Sequence, residues 1–148
     1  MKLSLDSNVL IYSVDTGDRS KQDHAIDLIR RTIIALGALS EQSLFEFLHV
    51  SIRKLAMPRE QALQIARGFA AQFTIILPPD DIVDATASVM SAHKLSVWDA
   101  RLLAVCASAG VDTLLTEDLQ DGGRYGSVRV INPFEQANAP LIDNVLPR

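Results

Sequence analysis

The sequence has only one cysteine and no apolar run long enough to cross a membrane. Cys106 has no second cysteine to pair with, so an intrachain disulfide is excluded and a reducing cytoplasm is expected. Uninterrupted apolar stretches fall far short of the roughly 20 residues that span a bilayer. Near the start of the chain, Asp6 and Asp15 interrupt the apolar core that a secretion signal needs. We therefore expect a soluble cytoplasmic protein that does not enter a membrane.

Aromatic residues and excess charge are also scarce. Aromatic side chains make up 5% of the 148 residues and hydrophobic residues make up 48%, which favours an aliphatic core and argues against disorder. The length suits one domain with a core of its own. A formal net charge of −4 argues against a protein that holds nucleic acid by charge alone, unless bound cations offset that charge.

Several motifs that carry chemistry are absent from the sequence. The phosphate-binding patterns GxxxxGK[ST] and GxGxxG do not occur. The three histidines, His24, His49 and His93, have no further histidine or cysteine at the spacing of zinc ligands. Cys106 and Ser108 have no matching histidine base. The sequence thus gives no support for a phosphate-binding loop, a zinc site or nucleophilic catalysis.

Short apolar runs, typical of buried strands, alternate with amphipathic helical segments. This alternation predicts an α/β fold, a three-layer α/β/α sandwich around a mostly parallel five-stranded sheet. The fifth strand is expected at the edge of the sheet. The domain is predicted to cover residues 1–135, and residues 136–148 to form a loosely attached C-terminal tail. The expected strands are 3–5, 34–39, 73–77, 112–115 and 127–131, and the expected helices begin near residues 7, 21, 41, 58, 80 and 96.

Four acidic residues stand just after a predicted strand or near the start of the helix that follows one. They are Asp6, Glu46, Asp99 and Asp118. In a parallel sheet these positions share one edge, at which ligands bind in such folds. Carboxylates gathered there would repel one another unless a cation held them together. The four acids therefore suggest a divalent metal site.

Each acid also has an ordinary structural explanation. Asp6 can cap a helix or form an Asx-turn, and Asp118 can be a polar loop residue, so position alone leaves both explanations open. Glu46 lies on the polar side of its helix, where a solvated acid is the favoured explanation of this residue alone. The apolar face of that helix is predicted to comprise Leu44, Phe45, Leu48, Ile52 and Leu55.

Asp99 shares the apolar face of its helix with Leu102 and Leu103, and this helix is expected to bury Trp98 as well. A charge on an apolar face needs a partner, because burying an unpaired charge costs several kcal/mol or more. A capping box with Ser96 would supply one partner, and a bound metal ion would supply another. The residues alone do not decide between these two explanations.

Three segments of the chain resemble a known family. They are LSLDSNVLIY near the start, SLFEF in the third predicted helix, and VWDARLLAVCASAGVDTLLTEDLQDG later on. Over about residues 2–135 the chain resembles PIN domains, and most closely the VapC-type ribonuclease toxins of bacterial toxin–antitoxin pairs. The last segment is the most specific, with an acid at a helix start, a strand, and T-x-D before a glycine-containing loop. The family often has threonine where Ser7 stands, so the hydroxyl is kept.

The resemblance implies a Mg²⁺- or Mn²⁺-dependent endoribonuclease with a PIN-like fold. Asp6, Glu46, Asp99 and Asp118 would match the four family acids. Asp6 and Asp99 would be direct metal ligands, and Asp118 would complete the metal site or support a second ion. Glu46 would orient or deprotonate the attacking water.

The resemblance also implies supporting residues and partners. Ser7, Asn8 and Thr116 would hold the acids through hydrogen bonds. RNA would be the substrate. The family further implies a homodimer and a small cognate antitoxin protein that keeps the toxin inactive.

Two other interpretations remain open. A receiver domain or a phosphatase also has an aspartate after its first strand. However, Asn8 stands where the phosphatase pattern needs a second aspartate, and no lysine follows Lys94 as a receiver requires. The other interpretation is a catalytically inactive PIN-like module that binds RNA or protein, because fold does not fix function. The presence of all four acids weighs against it.

Overall fold

The computed structural model describes residues 2–148, which form six strands and seven α-helices. No helix among these residues is long and apolar enough to cross a membrane. The strands are β1 (Leu3–Leu5), β2 (Ala38–Ser40), β3 (Thr74–Ile76), β4 (Thr113–Leu115), β5 (Arg124–Tyr125) and β6 (Val128–Ile131). The helices are α1 (Ser7–Tyr12), α2 (Arg19–Ile34), α3 (Glu41–Arg53), α4 (Arg59–Gln72), α5 (Ile82–Ala92), α6 (Val97–Ser108) and α7 (Ala139–Val145), with a 3₁₀ turn at Gln136–Asn138.

The six strands form one sheet in the order β3-β2-β1-β4-β6-β5. Pairing is parallel between β3 and β2, β2 and β1, β1 and β4, and β4 and β6, and antiparallel only between β6 and β5. The carboxyl ends of β1, β2 and β4 therefore lie side by side. This mostly parallel sheet is the one predicted from the alternation of strands and helices.

Apolar side chains on the two faces of the sheet build two cores. Leu39, Leu115 and Ile131 pack with residues of α1 to α4 and α7. Their strand neighbours, such as Leu114 and Val130, face the other side and pack against α5 and α6. Helices thus cover both faces, which confirms the predicted three-layer α/β/α sandwich.

The predicted strand at 34–39 is wrong at its start, because α2 continues through Ile34. The carboxyl end of α2 is closed by a Schellman motif. In this motif the Leu36 amide donates to the Ile33 carbonyl and the Gly37 amide donates to the Thr32 carbonyl. Leu36 takes the left-handed conformation, with φ 56°, that glycine normally provides. Without a glycine at this position the sequence gives no sign of the helix end, and β2 begins only at Ala38.

The predicted fifth strand corresponds to β6, and its placement at the sheet edge is wrong. β6 lies between β4 and the short β5, which supplies the actual edge. A turn with Gly126 at φ 60° joins β5 to β6. The sequence prediction missed β5, because a strand of two residues is too short to produce an alternating pattern.

The prediction that residues 136–148 are loosely attached is also wrong. Ile142 of α7 and the following Leu146 are fully buried in the core under α2. The buried Arg31 of α2 donates hydrogen bonds to the Leu146 carbonyl and, at 2.8 Å, to Asp143. A long-range ion pair of this kind leaves no periodic trace in the sequence, whereas Pro140 and Pro147 suggested an irregular end.

Two aromatic side chains predicted to be in the core are exposed. Phe45 is 67% exposed and Trp98 is 60% exposed. In α3 the buried face instead comprises Ser43, Phe47 and Ser51, at a spacing of four residues. The two small serines let this helix pack closely, and an analysis of apolar positions alone does not register them.

Candidate functional site

Asp6 stands directly after β1, at the centre of the sheet edge where β1, β2 and β4 end. Its backbone amide donates to the Leu115 carbonyl at 3.0 Å, which ties the end of β1 to the end of β4. Its carboxylate accepts the Ser7 amide at 2.7 Å and so caps α1. The capping explanation offered by the sequence is therefore correct, and it leaves the second carboxylate oxygen facing the neighbouring strand end.

The Asp6 carboxylate is buried, with the residue only 4% exposed. Its pKa is raised from 3.8 to about 6, chiefly by burial and to a smaller extent by the nearby charges of Glu46 and Asp118. Hydrogen bonds from the Thr116 hydroxyl, at 2.7 Å, and from the Ser7 amide act in the opposite direction. Asp6 is thus a buried acid with two acidic neighbours, which is the arrangement that a cation would stabilise.

Asn8 and Thr116 connect Asp6 to Asp118. The Thr116 hydroxyl donates to Asp6 and accepts the Asp118 amide at 3.1 Å. The Asn8 side-chain amide donates to the Thr116 oxygen at 2.9 Å and to the Asp118 carboxylate at 3.1 Å. The buried Oδ1 of Asn8 has no hydrogen-bond partner within residues 2–148. Asn8 and Thr116 thus link the two acids through hydrogen bonds, and their supporting role in a metal site stays a prediction.

Glu46 reaches the same site from α3. The Ser7 hydroxyl donates to its Oε2 at 2.7 Å, and Gln42 donates to its Oε1 at 3.0 Å. Ser7 also donates its backbone amide to Asp6, so it links Glu46 to the residue that caps α1. Glu46 is therefore half-buried and held by two side-chain hydrogen bonds, in contrast to the freely solvated acid favoured from the sequence for this residue alone.

Asp99 lies in the first turn of α6. Its backbone amide donates to the Ser96 hydroxyl at 3.2 Å, which is one half of the capping box considered from the sequence. The carboxylate makes no hydrogen bond or ion pair with any other residue of the 2–148 range. Asp99 is half-buried rather than fully buried, so the cost of an unpaired charge at this position is smaller than predicted.

The donor atoms near Asp6 suit a hard divalent cation. They are carboxylate oxygens and the unpartnered Asn8 Oδ1, and Mg²⁺ prefers oxygen ligands. Among residues 2–148, however, no group of three or more histidine, cysteine or acidic side chains is close enough to hold a metal ion. Mg²⁺ needs only one or two carboxylates because it keeps several waters, so the residues present fit such an ion. Ligation by Asp6, Asp99 and Asp118 stays a prediction.

The sequence prediction missed several polar residues that surround the acids. Gln42 accepts a hydrogen bond from Arg101 at 2.7 Å and donates to the Trp98 carbonyl at 3.1 Å, which joins α3 to α6. On the other side, Tyr12 and Lys21 contact Glu117, the residue between Thr116 and Asp118. No motif marks these residues, because their partners lie far away in the sequence.

Cys106 lies behind the site and has no part in its chemistry. Burial, together with the nearby charge of Asp6, raises the pKa of its thiol to about 12. The thiol therefore stays protonated at neutral pH and is a poor nucleophile. This agrees with the absence of a nucleophile–base pair in the sequence.

Known structures share this fold over nearly the whole chain. A toxin–antitoxin complex from Klebsiella pneumoniae contains a chain that is 25% identical, with a TM-score of 0.61, covering 91% of this chain and 99% of that one. The DNA-bound VapBC of Salmonella typhimurium contains one that is 19% identical, with a TM-score of 0.67 and coverages of 90% and 98%. VapC20 of Mycobacterium tuberculosis, a toxin that cleaves the sarcin–ricin loop, is 17% identical, with a TM-score of 0.63 and coverages of 86% and 99%.

The comparison with protein families gives the assignment. No curated protein matches the chain. The family model of the PIN domain matches residues 3–120, which include Asp6, Glu46, Asp99 and Asp118. The matched range covers most of the chain and contains β1 to β4, so this chain belongs to the PIN domain family.

Proposed function

We propose that this chain is a divalent-metal-dependent endoribonuclease and the toxin of a toxin–antitoxin pair. The observation that carries the proposal is the buried Asp6, which shares hydrogen-bonded neighbours with both Glu46 and Asp118. A buried acid beside two further acids costs folding free energy, and arrangements with such a cost are typical of functional sites. The family assignment and the resemblance to ribonuclease toxins agree with hydrolysis of an RNA phosphodiester bond.

Each residue has a defined part in the proposed reaction. Asp6, Asp99 and Asp118 would hold one or two Mg²⁺ or Mn²⁺ ions. When bound, such an ion supplies an activated water and offsets charge on the phosphate. Glu46, held by hydrogen bonds from Ser7 and Gln42, would accept a proton from the attacking water. Asp118 is exposed, so the site is open to a substrate as large as RNA.

The alternative is an inactive PIN-like module that binds RNA or protein. The four acids argue against it, and so do the hydrogen bonds that fix Glu46 and Asp6 without contributing to either core. Isothermal titration with Mn²⁺, run beside a cleavage assay, separates the two. Binding of Mn²⁺ without metal-dependent cleavage of any RNA favours the binding module.

Removal of the metal is expected to stop RNA cleavage. The purified chain with Mg²⁺ or Mn²⁺ should cut RNA, and excess EDTA should reduce the rate to background, because water is a poor nucleophile at neutral pH without a metal ion. The rate should return when Mg²⁺ is added in excess over EDTA. Gel analysis of labelled RNA measures both steps, and cleavage that continues unchanged in EDTA would contradict the metal requirement.

We also propose a protein antitoxin as partner. The similar chains of Klebsiella pneumoniae and Salmonella typhimurium come from toxin–antitoxin complexes, one of them bound to DNA. A small DNA-binding protein encoded beside this chain, copurifying with it and suppressing its cleavage of RNA, would support this role. Absence of any such neighbouring gene would remove the toxin assignment and leave the nuclease proposal standing.

A homodimer is the second proposed assembly. Phe45 on α3 and Val97 and Trp98 at the start of α6 are large, apolar and exposed on one side of the molecule. Phe45 and Trp98 also line a single groove of about 690 Å³ between these helices. Exposed apolar groups of this size, grouped together, are typical of protein interfaces.

Substitution of Trp98 by serine is expected to weaken the dimer at least about tenfold, because buried aromatic residues dominate interface energies. Ile34→Ser is the matched control, since Ile34 is similarly exposed on α2 and does not line the groove that contains Phe45 and Trp98. Sedimentation equilibrium gives both dissociation constants. A wild-type chain that remains monomeric at all concentrations contradicts the homodimer.

A further inference from the structure

Glu117 lies between two residues of the acid site but points away from it. On one side of Glu117, the Thr116 hydroxyl donates to Asp6. On the other, the Asp118 carboxylate accepts the Asn8 amide. The orientation of the Glu117 side chain is therefore coupled to the positions of two groups that contact the site, because all three belong to one short loop after β4.

Two side chains from other elements hold the Glu117 carboxylate. The Tyr12 hydroxyl, at the end of α1, donates to its Oε1. The Lys21 ammonium, in the first turn of α2, donates to its Oε2 at 3.0 Å and to the Tyr12 oxygen at 3.1 Å. These three polar groups form a closed triangle that joins α1, α2 and the loop.

Aromatic rings support the triangle. The Lys21 ammonium lies 4.3 Å from the centre of the Tyr12 ring and 5.2 Å from the centre of the Phe134 ring. The Tyr12 and Phe134 rings meet edge to face at 4.9 Å. The side chains of Lys21 and Glu117 are 33% and 23% exposed, so water competes less with this ion pair than with a fully exposed one.

The triangle matters because the loop carries like charges toward Asp6. Repulsion between Asp118 and Asp6 favours movement of the loop away from β1. The Lys21 ammonium offsets the charge of Glu117, and the hydrogen bond from Tyr12 fixes the direction of its carboxylate. The loop is thus held from the side opposite the acids, where a restraining group does not block access to the site.

We propose that Tyr12, Lys21 and Glu117 form a clamp that positions Thr116 and Asp118 against Asp6. The three are positioning residues, and their effect on catalysis rests on the proposed nuclease function. In the absence of RNA and metal the clamp has a structural effect of its own, which is the order of the loop.

The first test measures loop order in the metal-free protein. The Asp118 amide, which donates to Thr116, should exchange with deuterium about tenfold faster in the Tyr12→Phe variant, because one hydrogen bond of the clamp is lost while the ring stays. The Val130 amide, which donates to the Gly123 carbonyl, serves as the internal control. An equal increase at both amides, or none at Asp118, overturns the clamp.

The second test uses charge. Lys21→Met should accelerate exchange of the Asp118 amide as Tyr12→Phe does. Arg30→Met is the matched control, because it removes an exposed ion pair with Asp27 on the same helix and should leave that amide unchanged. Glu117→Gln keeps an oxygen acceptor, so it should show a smaller effect than Glu117→Ala.

The third test is RNA cleavage in the presence of Mg²⁺. A clamp that positions the loop predicts that Tyr12→Phe and Lys21→Met lower kcat about tenfold and leave KM within about twofold. If Lys21→Met raises KM alone and leaves exchange of the Asp118 amide unchanged, Lys21 contacts RNA and the clamp is wrong. If the wild-type chain does not cleave RNA, the proposed function fails, and the exchange measurements still decide whether the clamp exists.

Discussion

Replacement of Asp6 by asparagine should lower RNA cleavage by at least about 10³-fold while the protein stays folded. Loss of a direct metal ligand removes several kcal/mol of transition-state stabilisation, and each 1.4 kcal/mol is about tenfold in rate. The fold should tolerate the change, because an asparagine oxygen can still accept the Ser7 amide and the substitution removes a buried charge beside Glu46 and Asp118.

The measurement is a single-turnover cleavage assay together with a circular dichroism melt of each variant. Asp80→Asn is the control, because Asp80 is an exposed acid that makes no hydrogen bond to the residues around Asp6, and its loss should leave the rate within about twofold. The same assay on Asp99→Asn is informative, since Asp99 contacts none of the other acids in this structure. Full cleavage by a folded Asp6→Asn variant would falsify the assignment of the metal centre.

The part of the site formed by strand ends could be predicted from the sequence. Asp6 and Thr116 each follow a short apolar strand, and parallel pairing of β1 with β4 brings the two residues together. The cap of α1 could be predicted in the same way, because Asp6 stands directly before the predicted start of the helix at Ser7. These relations depend on local pattern and on a general rule of parallel sheets, so no detailed packing was needed to foresee them.

The rest depends on contacts between side chains that are distant in sequence. Glu46 meets Ser7 across 39 residues, and Tyr12 meets Glu117 across 105. Helical geometry correctly placed Glu46 on a polar face, but a polar face can turn either to solvent or to a site. The burial of Leu146 under α2 has the same origin, because the Arg31 ion pair that holds the chain end involves residues 112 apart.

The stability of the metal-free protein should depend on pH through Asp6. The pKa of this carboxyl is raised from 3.8 to about 6 in the folded state, so between these values the folded state binds more protons than the unfolded state. The free energy of unfolding therefore decreases as pH rises through this window, and the contribution of Asp6 amounts to about 3 kcal/mol. Asparagine has no charge to bury, so the Asp6→Asn variant should lack this decrease.

The difference in free energy of unfolding between Asp6→Asn and wild type should thus grow by about 2.4 kcal/mol from pH 4 to pH 7, in favour of the variant. Urea denaturation of metal-depleted protein measures this difference, and Asp80→Asn should show no such trend.

Saturating Mg²⁺ at pH 7 should raise the stability of the wild type and not that of the variant, because the ion binds the folded state through the Asp6 carboxylate. Equal pH dependence of wild type and Asp6→Asn would show that ionisation of the buried Asp6 carboxyl does not lower the free energy of unfolding. A loss of about 3 kcal/mol is a large share of the usual 5–15 kcal/mol that stabilises a domain, so a cation bound beside this acid, as proposed above, would offset a cost that the metal-free protein has to bear at neutral pH.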